Sequence, residues 1–89
     1  MVFTRTSFEN ILTDAFSNKY PTFDKQLLQK AVKHVTKDTD INFLNNVFNP
    51  EDILNQMISD FALPVLEVYQ ELRLRQFNIY YHGMYSWFN

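Results

Sequence analysis

The chain has 89 residues, a formal charge of −2 from eight Lys+Arg against ten Asp+Glu, and no cysteine. The length fits one domain, residues 1–89, and the near-neutral balance announces neither a nucleic-acid nor a membrane partner. Without cysteine there is no disulfide, thiolate zinc site or cysteine nucleophile, and no apolar run approaches the roughly 20 residues of a membrane span.

The first amphipathic stretch runs from Phe8 to about Ser17. Phe8, Ile11, Leu12, Ala15 and Phe16 recur at i, i+3, i+4, i+7 and i+8, which predicts a helix with one apolar face. Thr6 or Ser7 is its expected N-cap, and Pro21 stops it by disfavouring helical geometry at Tyr20. A second helix is expected from Phe23 or Asp24 to about Thr36, capped by Thr22. Leu27, Leu28, Ala31, Val32 and Val35 share its apolar face, and Lys30, Lys33 and Lys37 cluster opposite.

A short third helix is expected over Ile41 to Phe48, capped by Thr39 or Asp40. Ile41, Leu44, Val47 and Phe48 form its stripe, and Phe43 lies off it. The fourth start signal is the clearest: Asn49 as N-cap, Pro50 at the first helical position, and Glu51 and Asp52 against the positive end of the helix dipole. Ile53, Leu54, Met57, Ile58 and Phe61 make its stripe. Pro64 is expected to kink or break the helix, because it lacks an N–H and its ring clashes with the carbonyl four residues earlier. The pattern resumes at Val65 and runs to about Tyr80, with Gly83 as its stop. No stretch alternates like a strand. The expected fold is therefore an all-α, compact bundle of four to five helices with a long Pro-kinked C-terminal helix.

The segment after Pro64 carries more apolar surface than one face accommodates. Val65, Val68, Tyr69, Leu72 and Ile79 continue the inward stripe, while Leu63, Leu66, Leu74, Phe77 and Tyr81 centre about 180° away at 100° per residue. Such a helix is either central in its bundle or covered by another chain. If uncovered, those five residues form a patch of several hundred Å², the size that marks contact sites. Tyr85, Trp87 and Phe88 in the C-terminal aromatic tail either extend that surface or fold back onto the core.

Chemistry-bearing motifs are sparse. His34 and His82 have no metal-ligand spacing around them. Asp38-Thr-Asp-Ile-Asn42 imitates the start of a calcium loop, but Phe43 stands where glycine is required and Asn49 where glutamate is required. The single glycine excludes phosphate-cradling loops and nucleophile elbows. No enzyme activity, cofactor, metal or small-molecule ligand is expected.

The expected function is that of a small helical protein–protein interaction module (adaptor, inhibitor or assembly factor), with a homodimer as the simplest partner arrangement. Its surface comprises Leu63, Leu66, Leu74, Phe77, Tyr81, Tyr85, Trp87 and Phe88. The alternative is a nucleic-acid-binding transcriptional regulator that uses Lys30, Lys33 and Lys37 against phosphates; the same three lysines also suit contact with an acidic protein partner. Its recognition helix would be the third, which has no Arg or Lys and only Asn42, Asn45 and Asn46 to offer base edges. A cytoplasmic location is the expected default for a chain of this kind. The abundance of Asn, Phe, Tyr and Ile suits an AT-rich genome, and with the small size it points toward a phage or mobile-element source.

Overall fold

The computed structural model describes the backbone of residues 2–85 and the side chains of residues 2–76. Four α-helices follow in chain order: α1 (Arg5–Lys19), α2 (Lys25–Val35), α3 (Ile41–Asn46) and α4 (Pro50–Tyr85). No strand occurs among the described residues, and the protein is all-α. At 1.5 Å per residue the 36 residues of α4 span about 54 Å, which accounts for the 56 Å long axis of a molecule only 23 and 18 Å across.

Each short helix starts where its hydrogen bonding dictates. Helix α1 is capped by Thr4 rather than Thr6 or Ser7. The Thr4 hydroxyl accepts from the Ser7 N–H at 3.0 Å and the Ser7 hydroxyl accepts from the Thr4 N–H at 2.9 Å. Ser7 is thus the reciprocal arm of a capping box, not the cap. Helix α2 is capped by Asp24 rather than Thr22, because the Asp24 carboxylate accepts from both Gln26 and Leu27 N–H groups. In α3 the cap is Asp40, which accepts from the Asn42 N–H.

Three helix boundaries differ from expectation. Helix α3 ends at Asn46, and Val47 is already extended, so the helical register that assigned Phe48 to its apolar stripe no longer applies there. Phe48 stands fully exposed, while Leu44 alone of α3 is buried. Helix α4 passes unbroken through Pro64 and through Gly83 to Tyr85. Proline deprives the Asp60 carbonyl of its helical donor, and Asp60 lies in a solvent-exposed position, where an unpaired carbonyl costs less than in the core. Gly83 keeps negative φ, and glycine ends a helix only where it takes the left-handed conformation.

One core joins the elements. Phe8, Leu12 and Phe16 of α1 meet Leu28, Ala31 and Val32 of α2, all fully buried, and Leu54, Val65 and Tyr69 of α4 close the cluster. Burial of each large side chain stabilises by about 1.5–3 kcal/mol. Helix α4 packs most extensively against α2, which in turn packs on α1. Polar clamps tie the ends. Arg5 donates to the carbonyls of Thr36 and Thr39 just beyond α2. The Asn45 side-chain amide accepts from Phe3 N–H and donates to Phe3 carbonyl, which fastens the segment before α1 to α3.

Candidate protein interface

The two faces of α4 are built from the same residue types and meet opposite environments. On the inward face Val65 is 0% and Tyr69 2% exposed, and Ile58, Phe61, Val68 and Leu72 are half-buried against the core. On the outward face Leu63 is 65% and Leu74 61% exposed, and Leu66 is half-buried beside them. The reason lies in helix lengths. The 15 residues of α1 and 11 of α2 cover about 22 and 16 Å, too little to sheathe a 54 Å rod on both sides. They settle on the face holding Val65 and Tyr69, and the other face is left free.

The exposed polar residues between Leu66 and Leu74 are Glu67, Gln70, Glu71 and Arg73. Arg75 pairs with Glu71 at 2.7 Å on the helix surface, where both side chains remain more than half exposed. At such exposure this pair contributes little to folding. Phe77, Tyr81 and Tyr85 belong to the helical backbone, with side chains outside the described residues, and Trp87 and Phe88 lie outside them altogether. The structure therefore brings Leu63, Leu66 and Leu74 onto one uncovered face. Two further exposed aromatic side chains, Phe43 and Phe48, stand apart on the α3 segment. Phe43 was legible as an off-stripe residue; Phe48 was not, because its register depends on where α3 ends.

Lys30 and Lys33 are exposed on α2, whereas Lys37, assigned to the same helical face by the sequence, is exposed in the turn beyond the Thr36 cap. Lys30 and His34 line a shallow groove of about 260 Å³ with Val68, Glu71, Leu72 and Arg75 of α4. Of the asparagines that would face nucleic acid, Asn45 is engaged with Phe3 through both ends of its amide, and Asn46 donates to the Asn42 carbonyl.

No protein-family model, curated protein or solved structure matches this chain. Among the described residues no group of histidine and carboxylate side chains could hold a metal ion, and no helix is long and apolar enough to cross a membrane.

Proposed function

We propose that the chain is a protein–protein interaction module whose contact surface is the outward face of α4, with Leu63, Leu66 and Leu74 at its described centre. The observation that carries this reading is the contrast within one helix: Val65 is fully enclosed while Leu74, nine residues on, is 61% exposed. A large aliphatic side chain held in water on a rigid helix costs solubility, and covering it by a second protein surface removes that cost. Helix-in-groove recognition likewise presents apolar anchors from one face of a helix.

The reading is non-enzymatic and needs no cofactor. The amides of Asn45 and Asn46, which base-edge recognition requires free, are engaged within the chain, and this weighs against the nucleic-acid alternative. A cytosol-like compartment accords with the absence of cysteine, and a phage or mobile-element source with size and composition.

Paired aspartate substitutions test it. Leu74→Asp is expected to preserve the far-ultraviolet dichroism and change stability by about 0.5 kcal/mol or less, while weakening association with any protein partner, a second copy included. Val65→Asp buries an unpaired carboxylate and is expected to unfold the protein. If Leu74→Asp unfolds the chain as Val65→Asp does, Leu74 belongs to the core and the proposed surface does not exist.

A further inference from the structure

The shallow groove between α2 and α4 has Lys30 and His34 on one wall, Glu71 and Arg75 on the other, and Val68 and Leu72 between them. Val68 and Leu72 are half-buried, so their remaining apolar surface forms the floor, while the four polar residues are exposed. On α2 and on α4 the lining residues recur four apart, which makes the groove one helical turn long, about 6 Å. Its volume of about 260 Å³ falls below the roughly 300–1,000 Å³ of pockets that enclose a small molecule. It has room for one or two side chains of a peptide.

Its rim is basic. Lys30, His34 and Arg75 face one acid, Glu71, and that acid is already engaged: its carboxylate accepts from Arg75 Nη2 at 2.7 Å. The bond leaves Arg75 Nε and Nη1 without an acceptor among the described residues, and Lys30 has no ion-pair partner among them. Lys33, exposed on the adjoining surface of α2, has none either. A chain of net charge −2 thus carries a local positive patch with an apolar floor. A guanidinium held by one carboxylate and open on its remaining donors is set to receive a second. The aliphatic stem of Lys30 adds apolar wall below its charged head.

We infer that this groove takes a short acidic peptide segment of a partner protein, in which carboxylates flank an apolar side chain. The apolar side chain seats on Val68 and Leu72, one carboxylate meets Lys30 and the other meets Arg75. Charge complementarity selects the occupant and fixes its register. A nucleic-acid backbone fits less well. Its affinity grows with the number of phosphates neutralised, and a single turn offers few cations. It would also face Glu71 and gain nothing from the floor. The groove is a second surface, apart from the face of Leu63, Leu66 and Leu74, and the inference goes beyond the contact reading above without depending on it.

A nuclear magnetic resonance titration of the full chain tests it. The probe is a synthetic peptide in which glutamate pairs flank a single leucine. One control peptide has lysine in place of glutamate, and another has serine in place of leucine. The probe is expected to give saturable shifts at the Lys30, His34, Val68 and Leu72 amides, with an affinity that falls as salt rises. The serine peptide is expected to bind more weakly and the lysine peptide not at all. Lys30→Glu is expected to weaken binding about tenfold or more. Glu71→Gln keeps an acceptor for Arg75 and removes the acid of the groove, so it is expected to strengthen binding. Lys19→Glu makes the same change of net charge as Lys30→Glu, on α1, and is expected to leave the affinity nearly unchanged. All three positions are exposed, and the far-ultraviolet dichroism of each variant is expected to match the parent.

Absence of saturable shifts at those amides up to millimolar peptide overturns the inference. So does equal weakening by Lys19→Glu and Lys30→Glu, since the attraction is then unspecific. A DNA duplex that shifts the same amides where the acidic peptide does not overturns it as well, and makes nucleic acid the occupant. Leu74→Ser keeps the two surfaces apart: it is expected to leave the peptide's affinity unchanged, so loss of the groove leaves the face of Leu63, Leu66 and Leu74 to be judged by Leu74→Asp alone.

Discussion

The phenolic oxygen of Tyr69 accepts the backbone N–H of Asp24 at 2.9 Å, so the middle of α4 holds the residue that caps α2. The ring of Tyr69 also stacks on Phe23, centroids 4.3 Å apart and planes 13° apart, and Phe23 stacks in turn on Tyr20. One side chain thus fixes the turn between α1 and α2 against α4. Removing only the hydroxyl separates its hydrogen bond from its packing. Tyr69→Phe is expected to lower stability by about 0.5–1.5 kcal/mol, seen as a lower urea midpoint with an unchanged slope. A change in slope would mean that the hydroxyl shapes the compactness of one of the states and not just their balance.

Arg5 closes the opposite end of α2. Its guanidinium donates to the Thr36 carbonyl at 2.8 Å and the Thr39 carbonyl at 2.6 Å, two acceptors that lie beyond the last turn of the helix. A planar fork reaches two carbonyls at once, and a lysine ammonium on a flexible stem does so poorly. Arg5→Ala is expected to cost about 1.5–3 kcal/mol, the range for a hydrogen bond to a charged group. Arg5→Lys is expected to recover less than half of that. Hydrogen exchange should quicken at the Thr36, Lys37 and Thr39 amides. If Arg5→Lys matches the parent protein, the two-carbonyl clamp is not what stabilises this end.

Gly83 offers a local test of the long helix. It sits inside α4 with helical geometry and without positive φ. Alanine at such a site is favoured over glycine by up to about 1 kcal/mol. Gly83→Ala is therefore expected to raise helical content in the far ultraviolet and to slow amide exchange in the last two turns. A glycine serving as a left-handed helix stop would give the reverse, with loss of both.

Much of the fold was legible in local pattern. The four helices, the apolar faces of α1 and α2, and the acidic start of α4 follow from side-chain periodicity and capping chemistry, both of which act within a few residues. Boundaries were less legible for a physical reason. Thr4, Thr6 and Ser7 all carry a capping hydroxyl, and which one caps α1 depends on where Phe3 is held, by Asn45 forty-two residues away. Phe48 was misplaced for the same reason: its direction depends on the end of α3, which no short-range rule sets. Pro64 and Gly83 read as interruptions, yet α4 passes through both: the buried contacts of Leu54, Val65 and Tyr69 flank Pro64 on either side, and Gly83 keeps helical backbone geometry.

By itself, the amino-acid order determined that α4 carries apolar residues on two opposite sides, since helical periodicity assigns side chains to faces without reference to anything else. It left open which side the rest of the chain would cover. Only the tertiary structure decided that, through length and fit. Helices α1 and α2 are too short to enclose α4, and they pack where Val65 and Tyr69 complete a core with Phe8, Phe16, Leu28 and Val32, leaving Leu63 and Leu74 in water.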